Sequence, residues 1–422
     1  MISRFLLNQT ELKIQRRFIV LCWALLAGAC STSISTQNKG VSLPAPVPAL
    51  PLVLALPNYP LSLQDRPTSD GNAYLAQLNA RLKNLPKIDT PQSRALRAGV
   101  LYQRYQALGA LADLEHAHTF AQELVKSSES DPEALLLSAT ILSHMHEFDA
   151  ALALLDRLED AQSGAALRAE IADARTLTPL LARTLSSVPL TTGKEYGELV
   201  QLANDCIDRG ELACASEYFH QAQFVYTDVA PMPLAWLHTQ QGIALLRFDQ
   251  PEQAMRFFRA ALDRLPNYYL AQEHLAECQA QIKQFELGRR NYKAVIAQTG
   301  NPEYMAGLAA LETAAGNIKS AAVWQAQAKA GYAKLLAKFP SAYAQHAVDF
   351  YLEAGDLVQA EQLAQANFRL RRDASAYILQ AEVKFAMAEF KASCAALVPV
   401  FKSGRSPPEA IALRKQLPNC AL

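Results

Sequence analysis

The sequence predicts an all-α fold, an α-solenoid of stacked antiparallel helix pairs. One observation is a pattern that recurs with a spacing of 34 residues between Trp236 and Pro302. Another is composition, since half of the 422 residues are hydrophobic and the alternation typical of strands is scarce. A single helix pair cannot bury its apolar face alone, so such pairs must stack on their neighbours.

The recurring pattern puts small residues where two helices cross and an aromatic residue beside the crossing. The two copies are Gly242, Leu245, Ala254, Phe258, Ala261 and Pro266, followed by Ala276, Gln279, Gly288, Tyr292, Val295 and Gly300. Small side chains let two helices approach closely, and the ring fills the remaining wedge. A period of this length is typical of tetratricopeptide repeats. The chain resembles tetratricopeptide proteins from about residue 90 onward, which implies a TPR-like superhelix.

Residues 1–29 are typical of a secretory signal peptide. Basic residues precede an apolar run over 18–26, and small residues follow it up to Cys30. Residues 26–30 resemble the bacterial lipobox, whose last residue is the acylated cysteine, except that Ala27 stands where Leu is usual. Ser31 resembles the sorting pattern for the outer membrane. We therefore expect an exported periplasmic protein anchored in the outer membrane through Cys30, and a soluble periplasmic protein is the alternative.

The chain then divides into four further regions. Residues 30–70 contain the anchor cysteine and a proline-rich stretch, which predicts an extended tether. Residues 71–195 predict divergent helical repeats, with helices over 72–85, 92–108 and 111–126. Asp131 followed by Pro132 marks the start of another helix, whereas 167–187 is a degenerate pair.

Residues 196–403 predict the regular repeat array. Its equivalent first-helix position steps through residues 203, 242, 276, 309, 348 and 381. Pro407-Pro408 begins a last helix within 404–422, and its place after the final pair suits a cap over the exposed end of the stack.

Catalytic spacings are scarce in this sequence. It contains no glycine-rich phosphate loop, no Cys-x-x-Cys pair and no His-Glu-x-x-His helix, so we expect neither an enzyme nor a cofactor. Lys plus Arg and Asp plus Glu number 40 each, which disfavours binding to nucleic acid.

Histidines concentrate in one part of the chain. His116 and His118 lie near the start of one predicted helix, and His144 and His146 lie at the end of the next. In a stacked array the four could share an edge and hold a metal. Residues two apart on a helix point in different directions, however, so solvated edge histidines are the alternative.

Five cysteines follow Cys30. Export permits disulfides, and the repeat register places Cys206 opposite Cys214 and lets Cys394 join Cys420, which leaves Cys278 unpaired. Buried free thiols are the alternative for each pair.

In tetratricopeptide proteins the first helices line a concave groove that binds peptides or partner proteins. The resemblance implies a groove formed by Tyr196, Asn204, Trp236, Thr239, Glu273, Glu277, Gln281, Gln345, Asp349, Glu353 and Glu382. Trp236 is the candidate anchor, with packing between repeats as its alternative. Asn204 matches a position that clamps a terminal carboxylate in chaperone-binding members, but Val200 stands where the clamp has Lys, so that function is not expected. The groove is acidic to neutral, which favours basic or polar ligands.

These features predict a non-catalytic protein-protein interaction scaffold of the bacterial cell envelope. Its partners would be an envelope protein or peptide in the groove and the membrane through the lipid anchor. The alternative is a metal-binding or wall-acting enzyme or carrier with the histidine-rich site. A third possibility is a binder of glycans or other small ligands, which a groove rich in exposed aromatic residues would favour.

Overall fold

The computed structural model describes residues 68–86, 90–127, 131–180, 195–418 and 420. Within those ranges the chain forms 19 α-helices, one short 3-10 helix and no strand. No described helix combines the length and the apolar character that a membrane crossing requires. The predicted signal peptide, Cys30 and most of the tether lie outside the described residues.

The helices, in chain order, are α1 Gly71–Lys83, α2 Pro91–Leu108, α3 Leu111–Val125, α4 Pro132–His144, α5 Phe148–Leu155, α6 Ala165–Arg175, α7 Tyr196–Asp208, α8 Leu212–Val225, α9 Pro231–Arg247, α10 Pro251–Arg264, α11 Tyr269–Gln281, α12 Phe285–Thr299, α13 Pro302–Ala314, α14 Ile318–Lys338, α15 Pro340–Glu353, α16 Leu357–Leu370, α17 Ala374–Ala386, α18 Phe390–Lys402 and α19 Pro408–Gln416. Consecutive helices pack as pairs, and each pair packs on the next. The predicted all-α solenoid is therefore confirmed.

Eight pairs share one turn geometry. A residue with positive φ lies two positions before the second helix of each pair, at Gly109, His146, Gly210, Asp249, Lys283, Gly316, Gly355 and Ala388. Four of these residues are glycine, which adopts this left-handed conformation without steric cost. The repeat is thus visible in the backbone even where its sequence has diverged.

The predicted helix crossing at Gly242 is confirmed, and a second close approach of the same kind lies at Gly307. A Cβ atom added at Gly242 would lie 2.5 Å from the ring of Phe258, and one added at Gly307 would lie 2.6 Å from the ring of Tyr292. Both rings are fully buried. Close approach of the two helices therefore requires glycine beside each aromatic residue.

Local signals also fix the ends of the helices. The side chain of Asp131 accepts a hydrogen bond from the backbone of Ala134 at 2.9 Å, with Pro132 as the first helical residue, so this predicted start is confirmed. At the other end of the chain α19 packs on α17 and α18 through a shared apolar cluster.

The solenoid closes on itself. The side-chain amide of Gln298 donates to the carbonyl of Leu108 at 2.6 Å, and the backbone N–H of Arg372 donates to the carbonyl of Ala174 at 2.9 Å. One apolar cluster joins residues of α2 to α6 with residues around the start of α15. The first pairs therefore pack against the starts of α11, α15 and α17, and these elements enclose a central cavity.

Candidate functional site

The central cavity has a volume of about 580 Å³ and is lined by residues from α2 to α19. Its aromatic and titratable lining comprises four tyrosines, four histidines, three arginines and eight carboxylates, besides Phe148. The carboxylates are Glu170, Asp173, Asp205, Asp208, Glu273, Glu303, Asp373 and Glu409. This volume falls within the range of small-molecule pockets.

The four lining tyrosines, Tyr105, Tyr269, Tyr304 and Tyr343, are called the tyrosine wall below. The ring of Tyr269 lies 6.2 Å from that of Tyr105 and 6.4 Å from that of Tyr304, between centroids. Burial, followed by the nearby charge of Glu303, raises the pKa of Tyr304 well above its usual value. The phenol of Tyr304 therefore stays protonated at neutral pH.

Two predicted histidines face the cavity, and both are neutral. Burial, and then the charge of His346, lower the pKa of His144 to about 4. Burial and then the charge of Arg371 lower the pKa of His146 well below its usual value. The Nδ1–H of His146 donates to the carbonyl of Ser341 at 3.1 Å, while Nε2 accepts from Arg371 at 3.3 Å.

The three lining arginines are held in ion pairs. Arg247 lies 2.6 Å from Glu409, and Arg405 lies 2.9 Å from Asp208. The Nε–H of Arg371 donates to the carboxylate of Asp373, 3.0 Å away. Each lining arginine thus has a lining carboxylate as its partner.

The cavity opens beside α6. The lining residues Ala166, Ala169, Asp173 and Thr176 are exposed to solvent, in contrast to the buried inner wall. Burial and then the neighbouring charge of Asp173 raise the pKa of Glu170. A ligand entering here passes two carboxyl groups.

The predicted groove residues occupy several environments. Asn204 and Glu273 line the cavity. The buried members of the set are Thr239, Glu273, Glu277 and Gln345. The half-buried members are Tyr196, Asn204, Trp236, Gln281, Asp349, Glu353 and Glu382. Trp236 packs against the core of α7 to α9, as in the alternative given for it.

The four predicted histidines do not converge. His116 is exposed and bonds to a carbonyl of its own helix, whereas His118 pairs with Glu147 at 2.7 Å. His144 and His146 face the cavity instead. Their neighbours there are His346 and Arg371, which sequence reasoning missed because the contacts span more than 200 residues of chain.

Two other groups of described residues have ligand atoms close enough together to hold a metal. One is Glu273, His274 and Glu277, all buried on α11. The other contains Cys206 and Cys214, whose sulfur atoms are joined to each other in a disulfide. His274 lies 3.2 Å from Glu273 and 3.0 Å from Glu277, so hydrogen bonds within α11 account for the first group.

Both predicted disulfides are present. Cys206 is bonded to Cys214, and Cys394 is bonded to Cys420. Cys278 is a buried free thiol. Burial, with the charges of Glu277 and Glu273 as further causes, raises the pKa of this thiol.

No family model matches the chain, and no curated protein matches it. Several solved structures do. A tetratricopeptide repeat protein from Parabacteroides merdae shares 15% identity, with 65% of this chain and 96% of that chain covered and a TM-score of 0.35. PilW, a type IV pilus biogenesis factor, shares 17% identity over 66% of this chain and 96% of that chain, with a TM-score of 0.25. The human IFIT1 dimer with m7Gppp-AAAA shares 13% identity over 85% of this chain and 87% of that chain, with a TM-score of 0.41. These values are too low to carry a functional argument.

Proposed function

We propose that the chain is a non-enzymatic binding scaffold of the bacterial cell envelope that receives a segment of a partner protein in its central cavity. The observation that carries this proposal is the construction of the cavity wall. Segments that are far apart in sequence converge there, the three arginines are held by carboxylates, and His144 and His146 are neutral and fixed. Preorganised polar groups of this kind lower the entropic cost of binding a ligand.

The size of the cavity limits what can enter. The chain's own first pairs pack against the starts of α11, α15 and α17, and four predicted groove residues are buried. A partner would therefore insert a short segment through the opening beside α6, rather than lie along an open groove. Asn204 is the predicted groove residue that such a segment would contact.

Export is the second part of the proposal. The two disulfides suit an oxidising compartment, and the signal-like residues 1–29 followed by Cys30 suit a lipid anchor. We place the scaffold in the periplasm, anchored in the outer membrane.

Site-specific photo-crosslinking in intact cells tests partner binding. A photoreactive residue at Asn204 should give one adduct of defined mass, because this position lines the cavity. The adduct should disappear when Ala166→Trp narrows the opening and persist with Ala172→Trp, since Ala172 is exposed on the same helix and does not line the cavity. An adduct that is unaffected by Ala166→Trp contradicts the proposal.

Metabolic labelling with a fatty acid tests the anchor. The wild-type protein should take up label and fractionate with outer membranes, and Cys30→Ser should lose the label and become soluble. A wild-type protein without label would refute the lipid anchor and leave the soluble periplasmic alternative.

A further inference from the structure

The lining of the cavity is acidic once its internal ion pairs are taken into account. Three of the eight lining carboxylates hold the three arginines. The other five are Glu170, Asp173, Asp205, Glu273 and Glu303, of which Glu273 is bonded to His274 and Glu303 to His346. His144 and His146 add no positive charge at neutral pH, because the pKa of each is lowered. Such a lining attracts cations and repels anions.

Two of these five carboxylates lie beside the tyrosine wall. Glu303 accepts from Nδ1 of His346 at 3.3 Å, and the ring of His346 lies 6.1 Å from that of Tyr343. Glu303 and Glu273 both act on the phenol of Tyr304, whose pKa they help to raise. Aromatic faces and carboxylates therefore border the same part of the cavity.

Aromatic rings and carboxylates together recognise one ligand class especially well. A ring face attracts a cation electrostatically, and the attraction grows when the cation is shielded from water. A carboxylate supplies charge-assisted hydrogen bonds to an N–H donor. The carbon chain of an alkylamine can meanwhile lie against the rings without losing hydrogen bonds.

We infer that the cavity binds an organic ammonium group, with the tyrosine wall around the cation and Glu303 as its anionic partner. This inference rests on the proposed function, because it specifies the chemistry of the segment that would enter. The ammonium group could belong to a free alkylamine or to a lysine side chain of the partner. A divalent metal is disfavoured at Glu303, because no group of described residues close enough to hold a metal includes it.

Titration calorimetry with the full mature protein, in buffer containing EDTA, tests the inference. Cadaverine should bind, whereas 1,5-pentanediol, of equal chain length but neutral, should not. A short lysine peptide and its acetyl-lysine counterpart form the second arm, and preference for the charged peptide identifies a protein source. Binding of either charged probe over its neutral counterpart supports the inference. If neither cadaverine nor the lysine peptide binds, or if charged and neutral probes bind equally, the inference is overturned.

Variants locate the site. Glu303→Gln preserves an acceptor for His346. It should weaken the affinity for cadaverine by about 10- to 100-fold, which is the usual cost of losing a hydrogen bond to a charged group. Glu159 is an exposed carboxylate outside the cavity, so the control variant Glu159→Gln should bind cadaverine as the wild type does. Tyr105→Phe retains the ring and should retain cadaverine binding, whereas Tyr105→Leu removes the ring and should weaken that binding. Equal affinity of Glu303→Gln and wild type would refute the assigned position.

The two proposals can fail separately. Crosslinking at Asn204 reports a partner whatever its charge, and calorimetry reports an ammonium site whether or not a protein supplies it. An Asn204 adduct without amine binding would therefore retain the scaffold and reject the cation site. Amine binding without an Asn204 adduct would retain the cation site and reject the scaffold.

Discussion

His238 should make the fold sensitive to mild acid. Its side chain is almost fully buried between α9 and α10. The Nε–H of Arg264 donates to Nε2 of His238 at 3.1 Å, so the ring proton lies on Nδ1 and points to Oε1 of Gln241 at 3.2 Å. A second proton would have to replace the bond from Arg264 and would place two positive charges together.

The size of the effect follows from linkage. Burial, and then the charge of Arg264, lower the pKa of His238 from 6.5 to about 4. Between those values the unfolded chain takes up a proton that the folded chain does not, so the free energy of unfolding decreases as the pH falls. At pH 4.5 the loss due to His238 is about 2–3 kcal/mol relative to pH 7.5.

Urea unfolding followed by circular dichroism, at pH 7.5 and at pH 4.5, measures this loss. The variant His238→Gln keeps an acceptor for Arg264 and removes the titrating group. Its free energy of unfolding should fall by about 2–3 kcal/mol less than that of the wild type over the same pH range. Identical decreases in the two proteins would show that His238 titrates alike in the folded and unfolded states, and the argument from burial would then be wrong.

Four further predictions concern stability. Phe258→Ala removes a fully buried ring beside a helix crossing and should lower the free energy of unfolding by about 3–5 kcal/mol in urea titrations. Replacing Cys394 and Cys420 together by Ala opens a loop with a sequence separation of 26 and should lower the free energy of unfolding by about 3.5 kcal/mol, measured in the same way. Lys283→Gly should stabilise the chain by up to about 1 kcal/mol, because Lys283 is an exposed residue with positive φ. His146→Gly at the equivalent turn should destabilise it, because two hydrogen bonds are lost; stabilisation by both glycines would contradict the role given to His146.

Local rules were enough to predict the repeat. The glycine at 242 beside the ring of Phe258, the cap formed by Asp131 and both disulfides depend on residues that are near in sequence or one repeat apart. Small residues at a crossing and a proline at a helix start have direct steric causes. These features could therefore be predicted without knowing how the pairs wind.

The cavity could not be predicted in this way. Its position depends on the rotation between successive pairs, and small rotations accumulate along a solenoid. The hydrogen bond from His146 to Ser341 spans 195 residues, and the contact with Arg371 spans 225. No spacing rule relates positions that far apart, so the sequence predicts a concave groove where the structure has a cavity, and no sequence pattern points to His346 or Glu303.

His146 shows how closure and the repeat are related. Its backbone adopts the left-handed turn conformation that glycine provides at four of the eight equivalent positions. A glycine would satisfy the turn at lower steric cost, yet only a side chain can bond both to Ser341 and to Arg371 across the closure. Stacking of helix pairs alone does not require these contacts. The closed cavity is therefore stabilised by side chains specific to this chain, and function should be sought in those residues rather than in the repeat that carries them.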